Sequence, residues 1–451
     1  MTHDLFVWVD EHLAAQLIHD PADDHWALSY TPTWRAHPAG FPLAPLLPWE
    51  LAPTGSASSR IKRFIEHLLP EGRALDVALH YNGLSRSNVF GLIRALGAET
   101  AGALRFSTDA APLPANGPTA LREIPLAELA ERIAPPAHLP LNVWDGRVRM
   151  SVAGLQDKLL VYIPPAEASP TRLFLVEGPQ LASTHLLKPD LAEPRTPHLA
   201  INEHFCLQLA QRMGLPAAEA TLLRAPRPVL VVRRFDREVV QTNGQTRVQR
   251  RHVIDACQAL DVPLSFKYER NLGSAAAVAH IRDGVSFERL FGCARWAENP
   301  ALTRLVVLRW ALFQFLIGNS DAHGKNFSFF VRPGGWLAPA PWYDLVSVRQ
   351  YPGFDQELAM AYGDTFQHEA VSAFDWADFA SRCGIDRHVL RREGQRLAKL
   401  APKAAQAQAA SAVYQPDEQT FLQNVVAFVT QQAQRLAELV AGAASIRAEY
   451  L

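Results

Sequence analysis

Gly318-Asn319-Ser320-Asp321-Ala322-His323-Gly324-Lys325-Asn326, read together with Trp342-Tyr343-Asp344-Leu345, decides what kind of chain this is. Asp321 and Asn326 stand five apart, and a second carboxylate, Asp344, follows 18 residues after Asn326. Before the loop, Leu305–Leu308 and Trp310–Ile317 form an apolar run that ends at Gly318, a residue type that closes helices. After it, Asn326–Val331 is aromatic and β-branched, as strands are, and Arg332-Pro333-Gly334-Gly335 turns the chain back. A buried helix, a polar loop and a hairpin would thus gather three oxygen-bearing side chains into one compact acidic pocket.

That set suits phosphoryl transfer. One Asp accepts the proton of the attacking hydroxyl, while an Asn from the same loop and a second Asp from a nearby turn hold Mg²⁺. The D-x₄-N spacing is that of the protein-kinase catalytic loop. Asp, Asn, Gly and Ser also cluster in ordinary turns, where they bond to local backbone. Two polar residues at one spacing are easily found by chance, so the weight rests on the surroundings.

Further upstream, Met150–Ile163 reads as a small-residue turn running into a strand. Its Ala153-Gly154-Leu155-Gln156-Asp157-Lys158 segment would let backbone N–H groups approach phosphate oxygens, with Lys158 adding charge. A hairpin without a ligand has the same appearance. Phe174–Val176 and Thr184–Pro189 suggest strands, the second carrying Lys188 near its end. Leu199, Phe205, Cys206, Leu209 and Met213 then recur at mostly helical spacing before Gly214, with Glu203 in the first turn. A strand lysine followed by a helix bearing Glu is how kinases hold the α- and β-phosphates. A solvated lysine and a carboxylate favoured by the helix dipole are the plainer alternatives. Pro228–Arg237 is a buried strand that runs into charged residues.

With these segments in order, the chain resembles the HipA family of serine/threonine kinases, the toxins of HipBA toxin–antitoxin modules. The segments that carry the resemblance are SVAGLQDKL (151–159), THLLKPD (184–190), NEHFCLQLAQRMGL (202–215), VVRRFDR (231–237), KYE (267–269), GNSDAHGKNFSFF (318–330) and PWYDLVSV (341–348). FIEHLLPEG (64–72), NVFGLIRALG (88–97) and AGAL (101–104) extend it to the N-terminal part. The resemblance implies an α+β, two-lobed kinase-like fold with a mixed α/β N-terminal part and an all-helical C-terminal part. Asp321 is then the catalytic base, and Asn326 and Asp344 are the Mg²⁺ ligands. Lys188, the 153–158 segment, Arg234, Phe235, His323, Lys325 and Tyr343 would contact ATP. Ser151 is the position of inactivating autophosphorylation. The implied partners are a HipB-like DNA-binding antitoxin, operator DNA through that antitoxin, and a protein substrate of the aminoacyl-tRNA synthetase class. Members often carry Glu where this chain has Arg233, so side-chain contact with the nucleotide at that point is not carried over.

Composition sets wider bounds. The chain has 451 residues, enough for two or three domains. The expected division is 1–110, 111–245 and 246–451, with a Pro- and Gly-rich linker over Phe106–Ala120 and a loop at Pro164–Pro170. Lys+Arg 44 against Asp+Glu 45 leaves no global charge signal for nucleic acid or membrane. Locally, residues 387–403 hold six Lys or Arg and one acid, and Arg392, Arg396, Lys399 and Lys403 share a helix face. Such a run is usually a solvated face, and its sharper reading is a stripe for DNA phosphates. Cys206, Cys257, Cys293 and Cys383 lack C-x-x-C spacing and read as buried thiols in a reducing cytoplasm. No signal segment opens the chain, and Arg304 and Arg309 interrupt the most membrane-like run, so a core helix is expected there. A kinase-like subunit without catalysis, acting on DNA, and a metal-dependent hydrolase are the competing classes. The complete Asp321, Asn326, Asp344 and Lys188 set speaks against the first. The lack of further His/Asp ligand pairs speaks against the second.

Overall fold

A computed structural model describes residues 2–52, 54–111, 119–134, 140–148, 158–165, 172–178, 180–190, 193–242 and 244–451. The chain gathers into two units that are not contiguous in sequence. One comprises 1–191, 223–254 and 329–338, and the other 192–222, 255–328 and 339–451.

The first unit contains an antiparallel sheet in the order His25–Tyr30, His12–Asp20, His3–Val9, Leu104–Ser107. The strand His3–Val9 buries Leu5, Val7, Trp8 and Val9, so both its faces are covered toward its C-terminal end. Thr54 caps the helix Gly55–Glu66 by accepting from Ala57 N at 3.2 Å. In a second sheet, Arg227–Arg233 pairs with His185–Pro189, which pairs with Leu159–Val161. Trp144, Leu159, Val161, Leu173, Leu187, Val229 and Val231 form the core beneath it. These strands fall where the β-branched runs predict them. Residues 112–118 and 166–170 of the expected linkers lie outside the described residues, and the ends of the first fall in the strands Leu104–Ser107 and Ala120–Ile124.

The second unit is built on helices, principally Leu199–Arg212, Pro300–Ile317, Ala373–Arg382, Arg387–Ala409 and Pro416–Ser445. It also carries the short antiparallel pair Glu357–Tyr362 and Thr365–Gln367, so it is not purely helical. Asn299 opens the helix Pro300–Ile317 by accepting from Leu302 N at 3.0 Å, with Pro300 at its first position. Among the described residues this is the one helix long and apolar enough to cross a membrane. It is a core helix instead. Trp310, Phe313, Phe315 and Ile317 are fully buried, and Arg309 pairs with Glu393 at 2.9 Å. The last long helix, Pro416–Ser445, ends six residues before Leu451. All four cysteines are buried and free.

Candidate active site

The apolar helix ends at Gly318 with φ +63°, and a Cβ there would strike Arg349 and Phe428. Glycine is therefore required both by the left-handed conformation and by the close packing. The chain leaves this fixed point as Asn319, Ser320 and Asp321. Asn319 is buried, and its side chain acts as a local brace. Its Oδ1 accepts from Asp321 N at 3.1 Å, and its Nδ2 donates to Gln314 Oε1 at 2.9 Å and to Asp344 O at 3.3 Å. One side chain thus ties the loop bearing Asp321 to the turn bearing Asp344.

Asp321 is exposed. Its carbonyl accepts from His323 N at 2.9 Å and from Asn326 Nδ2 at 2.8 Å. Donating through Nδ2 fixes the Asn326 amide and so fixes where its Oδ1 points. Gly324 lets the loop pass close to its neighbours, since a Cβ would lie 2.6 Å from Val285 Cγ2. Lys325 is buried, and its ammonium meets Asp255 Oδ2 at 3.0 Å. The Tyr343 hydroxyl donates to Lys325 O at 2.5 Å and lies 2.6 Å from Ser328 Oγ. Burial, with Asp255 adding to it, pushes that hydroxyl well above its ordinary pKa, so it stays protonated. The hairpin between the two acidic points is present. Arg332 N donates to Trp336 O at 2.7 Å at its tip, and Ala340 N donates to Ser328 O at 2.9 Å at its base.

Asp344 has φ +51°, an uncommon conformation that Asp tolerates better than most residues. It is held from both sides. Trp342 N donates to Pro216 O at 2.7 Å and Ala218 N to Trp342 O at 2.8 Å. On the other side, Ser347 N donates to Asn202 Oδ1 at 2.9 Å, and Asn202 Nδ2 donates to Ser347 O at 3.1 Å and Tyr351 Oη at 3.0 Å. The helix Leu199–Arg212 therefore positions this turn. Its Glu203, expected as a partner for a phosphate-binding lysine, is buried in the same unit.

The expected site residues divide between the units. Asp321, His323, Lys325, Asn326, Tyr343 and Asp344 come together in the second, and Lys158, Lys188, Arg234 and Phe235 lie in the first. Ser151 and Ala153–Asp157 lie outside the described residues. Lys188 is buried on its strand opposite Leu230 rather than standing at a solvated end, and Lys158 is buried just before Leu159–Val161. Arg234 is committed to its own unit. It donates to both Asp236 oxygens at 2.9 and 2.7 Å, to Ser183 Oγ at 2.8 Å, to Glu99 Oε1 at 3.3 Å and to Thr100 O at 3.0 Å. Burial pushes the Asp236 carboxyl up, but Arg234 and Arg237 outweigh it and hold the group well below the carboxylate range. Arg234 N also donates to Thr184 O, so this side chain and amide serve as a strut. Phe235 is half-buried, edge-on to Phe330 at 5.9 Å. The basic stripe lies on Arg387–Ala409, where Arg392 and Arg396 reach the buried Glu393 at 3.4 and 3.2 Å.

Sequence reasoning missed two residues that shape the loop. Asn319 stands two before Asp321, the spacing at which an Asn side chain bonds the backbone ahead of it, so its role was readable. Tyr268 belongs to the KYE segment. Its hydroxyl donates to Asp321 Oδ1 at 2.7 Å across 53 residues, and no local signal announces that.

Comparison with known proteins gives the family. Residues 150–409 match the HipA-like C-terminal domain, and residues 5–107 match the HipA N-terminal domain. A serine/threonine-protein kinase toxin HipA of Shewanella oneidensis is 42% identical over 393 residues, covering 87% of this chain and 86% of that protein. A solved structure of the Shewanella oneidensis HipA, HipB and operator DNA complex contains a chain that superposes with a TM-score of 0.86 at 37% identity. The match covers 98% of this chain and all of that one. With the two family matches in order along the chain and the catalytic-type loop inside the second, the chain belongs to the HipA family of serine/threonine-protein kinases.

Proposed function

We propose that the protein is the toxin of a HipBA-type module, a cytoplasmic kinase that transfers the γ-phosphoryl group of ATP to a serine or threonine hydroxyl of another protein. The observation that carries this is the bracing of the set: Asn319 holds Asp321 N and Asp344 O, and Asp321 O holds the Asn326 amide. Asp321 accepts the proton of the substrate hydroxyl as its oxygen attacks the γ-phosphorus. The bond to the β-bridging oxygen breaks and ADP leaves. Asn326 and Asp344 offer one amide and one carboxylate oxygen, the sparse hard-donor set that Mg²⁺ takes when phosphates and waters complete its shell. Bound there, Mg²⁺ would neutralise charge developing on the β- and γ-phosphates. Lys188 and the 153–158 segment would hold the phosphates, and His323, Lys325 and Tyr343 would shape the floor of the loop. Phosphate on Ser151, directly before that segment, would disfavour ATP there and switch the kinase off.

For partners, the HipB and operator DNA of the related complex support a HipB-like antitoxin that carries this chain to DNA. An aminoacyl-tRNA synthetase is the protein substrate we propose, its modification halting translation. The test is phosphosite mapping of a cell extract incubated with Mg²⁺-ATP and either wild type or Asp321→Ala. New phosphoserine or phosphothreonine on a synthetase with wild type alone supports the reading. Identical maps would replace it with a non-catalytic role on DNA.

A further inference from the structure

We propose that Tyr268 is a positioning residue for Asp321, fixing which carboxylate oxygen faces the substrate hydroxyl. The inference rests on Asp321 being the proton acceptor and adds a residue to that site. The Tyr268 hydroxyl donates to Asp321 Oδ1 at 2.7 Å, and its ring stands edge-on to His323 at 5.1 Å and 88°. Asp321 is exposed, and a short side chain in water samples several rotamers unless something holds it. With Oδ1 engaged by the phenol, the carboxylate plane is set and Oδ2 is the oxygen presented to an incoming hydroxyl.

The phenol can do this because its own backbone cannot move. On one side, Lys267 O accepts from Gly324 N at 2.9 Å, which ties the segment to the loop it serves. On the other, Glu269 N donates to Ala359 O at 2.9 Å and Gly284 N donates to Glu269 O at 3.1 Å. The Glu269 side chain is buried. It accepts from Ala361 N at 2.8 Å and from Arg282 Nε at 2.6 Å. Gly284 presses so closely on this backbone that a Cβ there would lie 1.8 Å from Tyr268 O. Ala359 closes the frame. Its N–H donates to Ser320 O at 2.8 Å, next to Asp321, while its carbonyl holds Glu269, next to Tyr268. One strand residue therefore sets the spacing between the two partners. A residue so anchored is a fixed brace and not a swinging lid. Holding a reacting group within an ångström of its place is worth up to about 10²-fold in rate.

The test is Tyr268→Phe, which keeps the ring and its packing against His323 and removes only the hydroxyl. The readouts are ATP affinity by equilibrium binding and the single-turnover rate of phosphate incorporation into the protein itself from Mg²⁺-ATP. The same measurements are made on Asp321→Asn and on the double variant. Tyr268→Phe should slow transfer roughly 10- to 100-fold with ATP affinity unchanged. It should add nothing once Asp321 is replaced, because a brace has no effect without the group it braces. Transfer at or above the wild-type rate would make the phenol a bystander or a competitor for the substrate's place, and would overturn the proposal. Phosphate mapped to Tyr268, or equal slowing in both backgrounds, would overturn it as well. Wild-type transfer by Asp321→Asn alone is a different result, which removes Asp321 as the base and the positioning role with it.

Discussion

Replacing Asn319 with Ala should damage stability and catalysis together, because its amide is the shared tether of both acidic points. The side chain makes three hydrogen bonds, to Asp321 N, Gln314 Oε1 and Asp344 O, at 3.1, 2.9 and 3.3 Å. Each contributes about 1 kcal/mol net, and a buried partner left unmet costs about 1–3 kcal/mol. Gln314 and Asn319 are both buried, so water does not readily replace what is lost. We expect Asn319→Ala to lose about 2–4 kcal/mol of stability and to slow phosphoryl transfer by up to about 10²-fold through misplacement of Asp321 and Asp344. Asn319→Asp separates the parts. It keeps an acceptor for Asp321 N but loses both donors, turning a carboxylate toward the Asp344 carbonyl and Gln314 Oε1. A flip of the Gln314 amide would offer the new carboxylate Gln314 Nε2, which has no partner in the native arrangement, so only the Asp344 contact would be lost outright. Asn319→Asp should therefore be the better folded of the two while remaining slow. Thermal melting and single-turnover transfer at saturating Mg²⁺-ATP measure both quantities. If Asn319→Ala melts within about 0.5 kcal/mol of wild type and transfers phosphate at a comparable rate, the tether has no function and the reasoning fails.

Four further outcomes are expected. Asp321→Ala should lose roughly 10²–10⁴-fold in turnover while keeping most of its nucleotide affinity, whereas Asp344→Ala and Asn326→Ala should also weaken Mg²⁺-ATP binding in calorimetry. Lys188→Met should lower ATP affinity in the same titration without loss of fold, and unchanged affinity would leave Lys188 a buried strand lysine only. Incubation with Mg²⁺-ATP should add one phosphate at Ser151 with activity falling in step, and intact mass with peptide mapping will find it elsewhere if the switch is wrong. Acid should destabilise the protein through two buried histidines. Burial pushes His252 and His368 down from 6.5 to about 4, so both stay neutral in the fold while the unfolded chain takes up protons. Their contribution is complete above pH 6.5 and is lost as pH falls toward 4, by up to about 3 kcal/mol each. Melting temperatures of His252→Gln and His368→Gln between those pH values should fall less steeply than wild type.

Much of the loop was legible because its determinants are local. A helix whose second half, Trp310–Ile317, is almost wholly apolar must bury that half, and Gly318 at its end has one conformational use. Pro333-Gly334-Gly335 between two aromatic and apolar stretches is a turn for reasons contained in those residues. The division into units was not legible in the same way. Residues 192–222 lie within the expected 111–245 division yet cluster with the C-terminal helices. The helix Leu199–Arg212 buries polar residues as well as apolar ones, so its hydrophobic pattern is weak and does not say which neighbour it needs. Arg234 shows the same limit. A charged residue after a buried strand can turn to a ligand or inward, and its partners Glu99 and Thr100 lie more than 130 residues earlier.

The supports of the proposed Asp321, Asn326 and Asp344 set are therefore spread along the chain, while the three residues themselves are local. Asp321, Asn326 and Asp344 fall within one stretch because the loop and turn must lie close together in space. Their supports have no such constraint. Asn202 reaches Ser347 across 145 residues, and Tyr268 reaches Asp321 across 53. Asp344 needs its support most, because a positive φ is unfavourable for any residue with a Cβ and persists only where the flanking backbone enforces it. Trp342 and Ser347 supply that enforcement, each by two hydrogen bonds to the segment 202–218. Loosening Asn202 should consequently act on metal-dependent ATP binding, although Asn202 is itself fully buried. Asn202→Ala would remove both bonds to Ser347 and the one to Tyr351, freeing Asp344 to relax toward negative φ. Weakened Mg²⁺-ATP binding with Asp321 chemistry intact at saturating nucleotide is the expected pattern. Unchanged affinity and transfer would mean that Trp342 and Asn319 hold the turn without Asn202.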